Sequence, residues 1–156
     1  MELELQPLGG TARPLSDWLT TFHLGIVVLD PYTNESSWIL PTARRILDGL
    51  RGSDIRVTFL VTADDDDTRQ FCGPLVDEFL VFSDPDRLAV KEFELESLPA
   101  FVFVRADGSL AAKAEGWIPQ EWDTVAEAMS EATAWIPPDI PAAGDPGPFR
   151  GSPAAG

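Results

Sequence analysis

The run Gly25-Ile26-Val27-Val28-Leu29 constrains this chain more than any other segment. It is continuously apolar, rich in β-branched residues, and ends at Asp30-Pro31, the pattern of a strand covered on both faces in a parallel sheet. A second strand runs from Ile55 to Thr62. Between the two, Trp38, Ile39, Ala43, Ile46, Leu47 and Leu50 recur at spacings of three and four, which predicts a helix that contains Pro41 and is closed by Gly52.

The flanking segments extend the alternation. Met1 to Leu8 alternates apolar and charged positions as a short edge strand does, and a helix start follows with Ser16 as cap. Asp64-Asp65-Asp66-Asp67 opens a helix expected to reach Glu78 or Phe79, followed by the brief strand Leu80-Val81-Phe82. Asp84 and Pro85 read as the cap and first position of another helix through Leu88, Ala89 and Phe93. Ala100–Val104 and Ser109–Ala114 form a hairpin through Asp107-Gly108, a dipeptide that tolerates positive φ. Pro119 opens the last helix, with Trp122, Val125, Ala126, Met129 and Trp135 as its inward stripe. The order βαβαβαββα makes the fold class α/β.

Composition narrows the function. With 156 residues the chain fits one domain, and Trp18, Trp38, Trp117, Trp122 and Trp135 are expected to supply a core without disulfides. A net charge of −15 repels phosphate backbones and anionic lipid, so no nucleic acid and no membrane is expected as partner. Cys72 is the one cysteine and His23 the one histidine, which leaves neither an internal disulfide nor a zinc set. The acidic run Asp64 to Asp67 lacks the alternating spacing and central glycine of a calcium loop and reads as a solvated turn with a helix cap. His23 beside Ser36, Ser37 or Asp30 lacks the elbow motif of a hydrolase and reads as a satisfied, half-exposed residue. No metal and no cofactor is expected. The start Met1-Glu2-Leu3-Glu4-Leu5 has no export signature, and no apolar run is long enough to span a bilayer, so a cytoplasmic location is expected. From Pro137 onward six prolines and four glycines fill twenty residues, and this tail is expected to be unstructured, with Phe149 as the residue able to dock.

The strand and helix order, with Leu98-Pro99 leading into a hairpin strand, resembles the thioredoxin superfamily over about Asp17 to Trp135. Val57 to Thr62, Phe82-Ser83-Asp84-Pro85-Asp86, Ser97-Leu98-Pro99-Ala100-Phe101 and Arg105 to Leu110 look like the thiol-disulfide reductases and peroxiredoxin relatives. The resemblance implies a three-layer fold, a central mixed sheet flanked by helices, with an inserted strand and helix. Residues 1–136 would form that domain and 137–156 the tail. It also implies that Pro99 is the family's cis-proline, beside the active site, and that Pro41 is its kinking proline. Counting back from Pro41, the Cys-x-x-Cys slot falls on Thr33-Asn34-Glu35-Ser36, with Tyr32 ahead of it and Val27 in place of the buried acid. Both sulfurs are absent, and a hydroxyl forms no exchangeable S–S bond.

With exchange chemistry removed, the expectation is a redox-inactive polypeptide-binding module or chaperone. Its groove would be lined by Tyr32, Thr33, Asn34, Glu35, Ser36, Leu98, Pro99 and Trp117, with Trp38 near the slot. The charge of −15 favours a basic segment as the protein or peptide partner. Asp17-Trp18-Leu19-Thr20, Leu98 to Phe103 and the Pro119 to Trp122 helix start are similar to cysteine-less hydrogenase-assembly chaperones, which bind a twin-arginine signal. The alternatives are a thiol oxidoreductase or single-cysteine peroxidase using Cys72, which otherwise reads as a small buried hydrophobe, and a Pro-rich ligand presented by the tail.

Overall fold

The computed structural model describes residues 3–19 and 22–155. Met1, Glu2 and Thr20, named in the sequence patterns above, lie outside the described residues. Strand β3 (His23–Leu29) is an interior strand of a seven-stranded sheet. It pairs in parallel with β4 (Ile55–Val61) and antiparallel with β7 (Ala100–Val104). Beyond β4 lie β5 (Leu80–Ser83), β1 (Glu4–Pro7) and β2 (Arg13–Pro14), and beyond β7 lies β8 (Leu110–Glu115).

Two apolar cores cover the two faces, which makes three layers. The side chains of β3 alternate between them as a strand's period of two requires: Val27 and Leu29 enter one, Leu24, Ile26 and Val28 the other. The first core is closed by α2 (Asn34–Leu50), α3 (Asp65–Cys72), α4 (Leu75–Glu78) and α6 (Pro119–Thr133). The second is closed by α1 (Leu15–Trp18) and α5 (Leu88–Glu92). Helix α2 runs through Pro41, and Pro119 is the first residue of α6.

Four expectations need correction. The helix opened by the aspartates does not reach Glu78, because Gly73 takes φ +56° and Pro74 follows, so α3 stops and α4 starts anew. Helix α5 begins at Leu88, not Pro85. Arg87 ahead of it is left-handed (φ +57°, ψ 33°), while the Asp84 carboxylate reaches past the turn to accept the Leu88 and Ala89 amides at 3.0 Å each. Burial pushes that carboxyl above its usual range. Ser16 lies inside α1, whose N-cap is Pro14, with no side-chain cap. Trp38 and Trp135 are not core residues: Trp38 is 57% exposed, and Trp135 follows α6, its indole N–H bonded to the Gly49 carbonyl.

The Pro/Gly-rich segment also differs from its expected disorder. Residues 137–155 run back across α2, and β9 (Ser152–Pro153) pairs antiparallel with β6 (Ser97–Leu98) in a separate two-stranded sheet. Directional bonds replace the missing apolar burial. Asp145 accepts from the Thr42 hydroxyl at 2.9 Å and pairs with Arg45 at 2.8 Å, and Arg45 also donates to the Asp139 carbonyl.

Phe59 is fully buried at the centre of β4, edge-on to Phe79 at 5.3 Å. Phe59→Ala is expected to lower stability by about 3–5 kcal/mol, read from the midpoint of a denaturant titration.

Candidate functional site

The site lies where β3 ends and α2 begins. Thr33 is the N-cap residue of α2, but its hydroxyl donates to the Asp30 carbonyl at 2.9 Å and lies 3.3 Å from the Ser36 hydroxyl. Ser36, fully buried, accepts the Asp30 amide at 2.9 Å. Both hydroxyls of the slot therefore tie the turn to the strand it leaves. Asn34 and Glu35 form the first turn of α2.

Asp30 organises the space beneath. Its carboxylate, 3% exposed as a residue, accepts the Tyr32 amide at 3.0 Å and pairs with Arg87 at 2.9 Å. The second arm of the same guanidinium donates to the Ala154 carbonyl at 2.6 Å. Arg87 thus joins the end of β3, the start of α5 and the C-terminal segment. Nothing in the sequence pointed to it, because its partners stand 57 and 67 positions away.

Across from the slot, the Leu98–Pro99 peptide bond is cis. Leu98 is fully buried and pairs with Ser152. Trp117, also fully buried, exchanges two backbone hydrogen bonds with Phe149 at 2.8 and 2.9 Å, and its indole donates to the Pro146 carbonyl. Trp117 therefore contributes main chain, not an open ring, to the groove. Trp38 faces Phe149 edge-on at 5.9 Å, and the Ser152 hydroxyl donates to Glu35 at 3.0 Å. The structure thus brings Glu35, Trp38, Leu98 and Trp117 together around an extended stretch of the chain's own C-terminal segment.

Two glycines permit this approach. Gly116 (φ +69°) and Gly151 (φ +85°) both take left-handed backbone, and a Cβ on Gly151 would overlap the Leu98 carbonyl while one on Gly116 would overlap that of Arg150.

Tyr32 stands apart, 66% exposed, with its phenol donating to Asp67 at 2.6 Å. The acidic run is spent locally: Asp64 caps α3 through the Asp67 amide, and Asp65 accepts the Ser83 hydroxyl at 2.7 Å. His23 accepts the Ala106 amide at 2.8 Å, at the opposite end of β3 from Asp30 and Ser36. Among the described residues no group of three histidine, cysteine or acidic side chains could hold a metal ion. Cys72 is 3% exposed in the first core, and burial pushes its thiol up to about 11.

Two measurements follow from these environments. Cys72 in the native protein is expected to react with a mild thiol reagent at least about a hundredfold more slowly than in denaturant, because reagent and thiolate are both excluded. Tyr32 is the only tyrosine, so tyrosinate absorbance reports on it alone. The bond to the Asp67 carboxylate, first, and then burial hold the phenol from its ordinary 10.0 up to about 12. Asp67→Asn is expected to bring the midpoint back toward 10.0. The stabilisation this bond gives is present below pH 10 and is lost between 10 and about 12.

No protein-family model matches the chain, and no curated protein matches it in sequence. Solved structures do match in shape. Peroxiredoxin Q of Xanthomonas campestris is 14% identical with a TM-score of 0.67, covering 84% of this chain and 92% of that one. The dsbF protein of Mycobacterium tuberculosis, solved in mixed oxidised and reduced forms, is 16% identical with a TM-score of 0.66, covering 85% and 96%. The exposed lipoprotein thioredoxin of Streptococcus pneumoniae is 20% identical with a TM-score of 0.65, covering 84% and 99%. A parallel β3–β4–β5 core, antiparallel β7 and β8, and helices on both faces are thus shared with thioredoxin-like proteins, and this chain has the thioredoxin-like fold.

Proposed function

We propose that this chain is a redox-inactive thioredoxin-fold protein that binds extended polypeptide through the groove between the start of α2, the Leu98-Pro99 turn and Gly116-Trp117. One observation carries the reading. The two rims of that groove, at Leu98 and at Trp117, already hold an extended segment by main-chain pairing, the mode by which a strand is added to a sheet edge. The slot residues support it from the other side: Thr33 and Ser36 are hydrogen-bonding groups where exchange would require sulfur. The net charge of −15 favours a basic partner segment.

The second reading, a thiol oxidoreductase or peroxidase, draws on the thioredoxin and peroxiredoxin named among the structural neighbours and would use Cys72. The burial and raised pKa of that thiol weigh against it.

Residues 149–154 fill part of the groove, so the binding test uses the full chain with Gly151→Ala, whose added methyl overlaps the Leu98 carbonyl. Extended basic peptides of foreign sequence that carry a glycine to pass the Leu98 carbonyl are expected to bind it, unchanged by Cys72→Ser, and more tightly than acidic peptides of equal length. Failure of every foreign peptide to bind at about 1 mM would overturn the reading. So would insulin reduction or hydroperoxide consumption that disappears in Cys72→Ser.

A further inference from the structure

The contacts of residues 149–154 differ from those of the rest of the domain. Phe149 exchanges both backbone bonds with Trp117, and Ala154 donates its amide to the Glu96 carbonyl at 2.9 Å. Gly151 is pressed between the Leu98 carbonyl and Gly116. Glu35 holds the Ser152 hydroxyl and Arg87 holds the Ala154 carbonyl. Apolar burial is nearly absent: Ala154 alone is buried, Phe149 is partly covered, and Arg150 and Pro153 are exposed. A segment held mostly by edge hydrogen bonds, with one small side chain, Ala154, in the second core and Phe149 packed against the rim of the first, belongs to the low-stability end of local opening. It also occupies the main-chain positions that an incoming strand needs.

We propose that residues 149–154 are a displaceable internal ligand that closes the groove, and that a partner strand carrying the same features takes their place. This rests on the polypeptide-binding reading. The geometry specifies the incoming strand. A glycine must stand at the position of Gly151, because no Cβ fits against the Leu98 carbonyl. An aromatic ring two residues before it meets Trp38, and a hydroxyl residue after it meets Glu35. The pattern is therefore aromatic, any residue, glycine, serine or threonine. Tethering gives the internal copy a high effective concentration, and a partner's apparent affinity falls by the fraction of molecules that are closed.

Two measurements on the full chain test this. In hydrogen exchange, the Phe149 and Ala154 amides are expected to exchange at least about a hundredfold faster than the Val102 amide in the central sheet, through local opening. Exchange of all three at one rate would make the segment a permanent part of the fold and overturn the proposal. A synthetic peptide of the sequence 147–155, added in trans, is expected to bind Gly151→Ala at least about tenfold more tightly than the wild-type chain. Ala154→Pro, which removes the amide bonded to Glu96 without touching the glycines, is expected to act in the same direction. Equal binding of that peptide to all three proteins, or its failure to bind either variant, would overturn the proposal. The two readings separate: if this peptide binds the variants while no foreign strand does, the segment's closure of the groove stands, and its displacement by a partner fails together with the polypeptide-binding function. If foreign strands bind wild type and variants alike, the function stands and the internal ligand fails.

Discussion

Strand β3 is paired on both edges and buried on both faces, and the rest of the structure is arranged around that fact. Its amides and carbonyls are consumed by β4 and β7 from Leu24 to Val28, so the chain can meet solvent only where the strand ends. In an open α/β sheet that place, outside the carboxyl ends of the parallel strands, is where a crevice forms. Here it is marked by Asp30. One buried carboxylate fixes the Tyr32 turn and the guanidinium of Arg87, and Arg87 in turn holds α5 and Ala154 in register with it. A buried ion pair is weak evidence of stability, because desolvation opposes the Coulombic gain, but removing one partner strands the other. The Asp30–Arg87 pair is better understood as a positioning device that sets where the C-terminal segment can lie.

The hydroxyls at the start of α2 belong to the same logic. A thiolate at a helix N-terminus draws on the exposed amides and the dipole, and its proton is lost readily. A hydroxyl gains little from that field, because its own ionisation lies far outside the physiological range. What it can do is donate and accept. Thr33 and Ser36 do so toward the Asp30 backbone, closing the turn with two bonds. Ser36 is fully buried.

Much of this was legible in the chain. The two β-branched runs, the Asp107-Gly108 hairpin, the helix with Pro41 and the start of α6 at Pro119 each carry a local signal, and each stands where its residues put it. Counting back from Pro41 on the thioredoxin resemblance leads to Thr33 to Ser36, which stand at the N-cap and first turn of α2. The failures share a cause. Arg87 and Asp145 act through partners 57 and 100 positions distant, and the C-terminal segment through partners on other elements, which no local pattern encodes. The tail is poor in apolar residues, and its contacts are instead main-chain pairs, charged side chains and two glycines. Trp38 was misplaced for a related reason: spacing put it beside the inward stripe of α2, but Phe149 gave it a surface partner instead.

Those glycines bear on what a groove of this kind can select. Main-chain pairing reads no side chains, so it confers affinity without identity. Identity enters through exclusion. Between the Leu98 carbonyl and Gly116 the backbones pass so closely that the position opposite admits no Cβ, and a carboxylate at Glu35 and the ring of Trp38 stand at either side of it. A site that discriminates by the absence of a side chain rejects most sequences on steric grounds before any contact is made. The chain's own Phe149-Arg150-Gly151-Ser152 meets that requirement, which explains how a segment with so few buried atoms holds a defined register.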